Sequence, residues 1–170
     1  RDRPILFENQ KNIEFIDTSI LGSIFYKNSL PEKTILSFKN CIFKSLEDTL
    51  LTIELKENVS LSCLFESCSL STDFPKGILK SFQKDNSTIN ILFSNSTLES
   101  NHKNNYSIEL LGEDFSNTIF SMVSCHSLIK SDYMFHRFLD KSNFEYNLEN
   151  SLFELEKQID KKELLNTGIY

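Results

Sequence analysis

The chain has 170 residues, a formal net charge of −6 at neutral pH and a pI near 5.1, with 39% hydrophobic residues and 15 Phe. That much aromatic surface argues against disorder and suits one domain with a sizeable core. The acidic balance argues against nucleic-acid binding by counterion displacement and against a polybasic membrane patch, and no apolar run approaches the roughly 20 residues that span a bilayer.

At the start of the chain, Ile5 and Phe7 read as a strand continuing from upstream coils, which makes the chain part of something larger; no signal peptide is visible. The segment IEFIDTSI at 13–20 follows, centred on Phe15, and then a turn region at 26–33 in which Pro31 fixes φ and removes a donor. LSFKNCIF at 36–43 repeats the pattern of 13–20 around Phe38.

An alternating run, Leu51, Ile53, Leu55, Val59 and Leu61, leads into CLFESCSL at 63–70 around Phe65. Period-two alternation is the signature of a strand with one buried face. Ile78, Lys80 and Phe82 fit that alternation poorly, but ILFSNSTL at 91–98 restores the repeat at Phe93. Tyr106, Ile108 and Leu110 alternate again before TIFSMVSC at 118–125, centred on Phe120.

The central phenylalanines from Phe38 to Phe120 lie 27, 28 and 27 residues apart, and Phe15 lies 23 before Phe38. Two residues before each stand Ile13, Leu36, Cys63, Ile91 and Thr118. Three after stand Thr18, Cys41, Cys68, Ser96 and Val123, and five after stand Ile20, Phe43, Leu70, Leu98 and Cys125. A fixed period of this length marks a solenoid, whose single coils cannot bury their own apolar faces. The step from the phenylalanine to the third residue breaks the alternation once, which suits a bend between two strands.

Beyond residue 130 the pattern changes. In DYMFHRFLD, Met134, Phe135, Phe138 and Leu139 form an apolar stripe with Asp132 as a cap. Ser151 and Glu154 then make a capping box for a helix lined by Leu152, Leu155, Ile159 and Leu164, with Lys157, Lys161 and Lys162 outward and Gly168 past its end. The expectation is therefore an all-β parallel β-helix solenoid of about five coils over 1–130, with a helical C-terminal cap over 131–170. The alternative is a leucine-rich-repeat-like solenoid, since LSFKNCIF and CLFESCSL match that family's L-x-L-x-x-N/C-x-L core when Phe stands for Leu.

Over about 5–128 the pattern resembles the right-handed parallel β-helices. That superfamily includes polysaccharide lyases and the passenger regions of bacterial surface adhesins. FEN, FKN and FSN at 7–9, 38–40 and 93–95 are loosely similar to the F-x-x-N repeats of chlamydial surface autotransporters, one residue short and without the companion G-G-A motif. No functional residue carries over.

The chain holds no phosphate loop, H-E-x-x-H, G-x-S-x-G or C-x-x-C, and no catalytic, cofactor-binding or metal residue is assigned. Cys41, Cys63, Cys68 and Cys125 read as structural, Cys41 and Cys68 being stacked neighbours whose bridging the sequence leaves open. His102, His126 and His136 form no metal set, and His126 beside Cys125 points to the opposite strand face. Glu14, Asp17, Lys39 and Glu66 are outward residues of the kind β-helix glycosidases and lyases use. Four glycosylation acceptors stand at Asn58, Asn86, Asn95 and Asn105.

The functional expectation is a non-enzymatic, adhesin-like surface or binding module, secreted or at the cell surface. Its partner is a protein or glycan, with no nucleic acid, no cofactor and no membrane insertion by this segment. The alternatives are a carbohydrate-active β-helix and an intracellular, cytoplasmic interaction scaffold.

Overall fold

The computed structural model describes residues 4–46, 48–73, 77–101, 106–112, 118–137 and 143–155. They form three parallel sheets of six strands each. The first sheet contains β1 (Ile5–Glu8), β4 (Ile24–Asn28), β7 (Leu51–Leu55), β10 (Leu79–Gln83), β13 (Tyr106–Gly112) and β16 (Tyr133–Arg137). The second contains β2 (Asn12–Ile16), β5 (Lys33–Lys39), β8 (Ser60–Glu66), β11 (Thr88–Ser94), β14 (Ile119–Cys125) and β17 (Asn143–Glu149). The third contains β3 (Ser19–Leu21), β6 (Ile42–Ser45), β9 (Ser69–Thr72), β12 (Thr97–Ser100), β15 (Leu128–Ser131) and β18 (Leu152–Leu155). Each coil contributes one strand to every sheet, so the described residues form an all-β parallel solenoid, a β-helix of six stacked coils.

Burial follows the alternation. In β8, Leu61, Cys63 and Phe65 point inward while Ser60, Ser62 and Leu64 lie nearer solvent. In-register pairing turns these positions into interior columns: Ile13, Leu36, Cys63, Ile91 and Met122, and beside it Phe15, Phe38, Phe65 and Phe93. The phenylalanine rings stack at 5.2, 4.9 and 4.9 Å with interplanar angles of 11°, 13° and 19°. The third sheet supplies Ile20, Phe43, Leu70, Leu98 and Ile129. Phe43 meets Phe38 edge-on at 4.9 Å, joining the two sheets across the core.

The corner from second to third sheet is two residues long in every coil. Its first residue is left-handed: Asp17, Asn40, Ser67, Asn95, His126 and Asn150, all with φ between 48° and 54°. Short polar side chains tolerate that region best. Its second residue is a small hydroxyl or thiol: Thr18, Cys41, Cys68, Ser96, Ser127 and Ser151. These side chains satisfy the backbone where the ladder is interrupted. Ser96 Oγ donates to Ser94 O at 2.9 Å and accepts from Cys68 N at 3.1 Å, and Ser127 Oγ donates to Cys125 O and accepts from Ser96 N. Cys41 Sγ donates to Lys39 O at 3.2 Å, and Cys68 Sγ to Glu66 O at 3.4 Å, so the thiols play the same part.

Three expectations are overturned. The C-terminal cap is not helical: no helix occurs among the described residues, and β16, β17 and β18 continue the three sheets as a sixth coil. Ser151 is not an N-cap; its hydroxyl donates to Ser124 O and Glu149 O and accepts from Ser127 N, closing the corner ladder. The free edges of β13, β14 and β15 template the strands more strongly than local propensity favours a helix. Phe138, Leu139, Ile159, Leu164, Lys157, Lys161, Lys162 and Gly168 lie outside the described residues.

The second correction concerns Phe120. It lies on the second sheet and is fully buried, but it pairs with Ile89, while Ser124 pairs with Phe93. The fifth row is thus Met122, Ser124, Ser127 and Ile129, and the interval from Phe93 to its counterpart is 31 residues. Third, the leucine-rich-repeat alternative fails because the segments between β5, β8 and β11 hold further strands of the other two sheets.

In the fourth coil the inward positions of β10 are Leu79, Ser81 and Gln83, with Lys80 and Phe82 facing out, while Ile78 just before the strand is itself fully buried. Polar residues at two interior positions explain the poor alternation. Gln83 is accommodated by donating from Nε2 to Ile119 O at 3.3 Å, and Phe82 faces outward with Lys80 Nζ 5.0 Å from its ring centre.

Candidate functional site

The outer faces carry charges that pair along the solenoid axis. Lys27 meets Glu54 at 3.5 Å, Lys39 meets Glu66 at 3.4 Å, Lys80 meets Glu109 at 3.0 Å and Lys130 meets Glu99 at 3.0 Å. Every one of these pairs joins residues directly opposite each other on consecutive coils. Two of the outward residues weighed for the alternative, carbohydrate-active reading, Lys39 and Glu66, are therefore partners in an exposed ion pair.

The other two lie beside neutral polar residues of the next coil. Glu14 is exposed beside Ser37, and Asp17 accepts a hydrogen bond from Asn40 Nδ2 at 3.1 Å in the corner row. On the adjoining coil each therefore faces a neutral polar residue, not the second carboxylate that glycoside hydrolysis uses.

The cysteines are free. Cys41, Cys63 and Cys68 are buried, and burial pushes the Cys63 and Cys68 thiols up from their ordinary value. Cys125 is half-buried, with Glu149 Oε2 at 3.9 Å from its sulfur. His126 occupies the left-handed corner position and is exposed; His136 lies on β16 in register with Glu109, and His102 lies outside the described residues. Among the described residues no three His, Cys, Asp or Glu side chains gather as a metal site. Among the described residues no helix is long and apolar enough to cross a membrane.

Asn58, Asn86 and Asn95 are exposed at left-handed corner positions, with φ of 61°, 55° and 49°, so three of the four acceptor sites stand open to solvent. Asn105 lies outside the described residues.

What sequence reasoning did not find is an apolar patch outside the third sheet. Leu21, Ile42 and Leu46 are 82%, 57% and 64% exposed on the first two coils. Leu21 and Leu46, with Gly22, Lys44 and Asp48, border a shallow cavity of about 260 Å³. Gly22 turns the chain from β3 to β4 at φ 117°, a conformation open in practice to glycine alone, and nothing lies within 4 Å of where a Cβ would stand. The available signal was Ile42, an apolar residue between the inward Cys41 and Phe43 and hence facing out.

No family model, no curated protein and no solved structure matches the chain. The site therefore rests on its own geometry.

Proposed function

We propose that the chain is a non-enzymatic binding module, adhesin-like and secreted or at the cell surface, that docks a protein partner on the third sheet. The supporting observation is the exposure of Leu21, Ile42 and Leu46, three large aliphatic side chains left in water on the first two coils, with Leu21 and Leu46 bordering a shallow cavity, on an otherwise laddered, rigid scaffold. Contiguous exposed apolar surface rimmed by polar groups such as Lys44 and Asp48 is the usual character of a protein-binding site. The exposed acceptors Asn58, Asn86 and Asn95 are compatible with passage through a secretory compartment.

The test is affinity capture from native extracts on the immobilised chain and on a Leu21→Asp, Leu46→Asp double variant, with folding checked by circular dichroism. Proteins retained by the parent and lost by the variant support the proposal. Identical capture profiles would remove the patch from consideration.

A further inference from the structure

Five consecutive strands of the second sheet, β5, β8, β11, β14 and β17, are seven residues long each, with β11 in the middle. The three inner strands each present four outward positions. Of those twelve only Glu66 is charged, in a chain where 25% of the residues are. Leu64, Leu92 and Val123 stand among them in register on successive coils, a straight aliphatic column in which Leu92 is 37% exposed. Ser62, Asn90 and Ser121 form the column beside it. Depletion of charge at the centre of a face is the compositional mark of an interface core.

The flanking strands say what covers it. Lys39 on β5 and Glu149 on β17 occupy one register column, each two coils from Ser94 on β11. Both are exposed, and Lys39 keeps 47% of its side chain in water although it meets Glu66. The charge is thus antisymmetric about β11. A half-turn about the line of β11 brings a second copy face to face with Lys39 opposite the partner's Glu149, Leu64 opposite the partner's Val123 and Leu92 opposite itself. Such self-complementarity is what a twofold interface requires. A half-turn about the solenoid axis would instead lay β17, which carries Glu145 and Glu149, on its own equivalent, where like charges repel.

We propose that the outer face of the second sheet is a homodimer interface, two copies packing with opposed solenoid axes and Leu92 on the twofold. Five strands of seven residues give a face of roughly 550 Å² per copy, about 1,100 Å² for two. That just clears the roughly 1,000 Å² of a specific interface. The dimer is accordingly weak, dissociating in the micromolar range. It uses the middle of the stack and does not depend on the third-sheet patch.

The experiment is sedimentation equilibrium of the full chain, kept reduced, from about 1 to about 500 µM. The parent should pass from monomer to dimer across the series. Leu92→Asp should weaken association at least about a hundredfold, because it sets two carboxylates against each other on the twofold. Lys39→Glu and Glu149→Lys should each weaken it at least about tenfold. An equimolar mixture of those two variants should form a heterodimer close to the parent in affinity, since every lysine then faces a glutamate again. A Leu21→Asp, Leu46→Asp chain should dimerise as the parent does, and circular dichroism checks that each variant is folded. The proposal is overturned if the parent stays monomeric throughout, if Leu92→Asp dimerises like the parent, if the mixture associates no better than its components, or if the third-sheet variant loses the dimer.

Discussion

Phe65 lies between Phe38 and Phe93, its ring centre 4.9 Å from each and nearly parallel to both. Parallel in-register strands enforce this: identical side chains one coil apart have little freedom except to stack. The phenylalanine column therefore contributes aromatic contact along the axis and apolar burial across it. Phe65→Ala would open a cavity that neighbours on fixed coils cannot collapse into. We expect a loss of about 3–5 kcal/mol in urea unfolding. A loss below roughly 1 kcal/mol would show that the column is not a core element.

The corner row makes a different demand. Ser96 Oγ serves Ser94 O, Phe65 O and Cys68 N at once, all in buried or part-buried surroundings. Ser96→Ala strands these groups and should cost about 1–3 kcal/mol. Ser96→Cys should cost clearly less, because Cys41 and Cys68 already perform the same task in the same row. Equal losses in the two variants, measured by chemical denaturation, would show that hydrogen bonding is not what the row requires.

The corner row also explains how far the sequence could be read. Alternation and the phenylalanine spacing were enough to place four of the coils, because one buried face leaves a period-two trace. The fifth row was misaligned because Phe120 attracted the comparison, although its column holds Thr34, Leu61 and Ile89. The dipeptide at the corner is the better register mark, since it obeys a backbone constraint and not merely an apolar preference: Asn40–Cys41, Asn95–Ser96, His126–Ser127 and Asn150–Ser151 all satisfy it. Asn150–Ser151 would have announced the sixth coil. Instead, the capping-box pattern of Ser151 and Glu154 suggested a helix, because a local motif carries no record of the strand edge beside it. The patch of Leu21, Ile42 and Leu46 was harder to read, because alternation marks Ile42 as outward without saying which outward apolar residues lie near it.

Ion pairs along the axis should differ in worth according to cover. The side chains of Lys39 and Glu66 are 47% and 55% exposed, while those of Lys80 and Glu109 are 18% and 8% exposed. Solvent screens the first pair, so Lys39→Ala should change stability by less than about 1 kcal/mol. Glu109→Ala leaves a partly covered lysine without this carboxylate and should cost about 2–3 kcal/mol, less than a fully buried pair because Lys80 retains some water. Urea unfolding of both variants at low and high salt checks the contrast: only the Lys39 effect should fade with salt. Comparable, equally screened losses would contradict it.

The interior thiol at Cys63 should weaken folding as the pH rises. It is fully buried with Leu36 and Ile91 on the adjoining coils, and desolvation alone drives its pKa upward. In the unfolded chain a thiol ionises near about 8.5. Below that pH both states hold the proton and the stability contribution is complete. Above it the unfolded state releases a proton that the folded state retains, so folding weakens by up to about 1.4 kcal/mol per pH unit for this group. The loss continues until the folded thiol itself ionises. Tyr26, also raised by burial, adds to the decline in the same direction at higher pH. A Cys63→Val variant lacks the titrating group, so its unfolding free energy should fall less steeply than the parent's between roughly pH 8.5 and 10. In the native chain at neutral pH, an aromatic disulfide reagent should label the half-buried Cys125 first and leave Cys63 untouched until unfolding. Parallel pH profiles for parent and variant, or early labelling of Cys63, would place that thiol outside the closed interior.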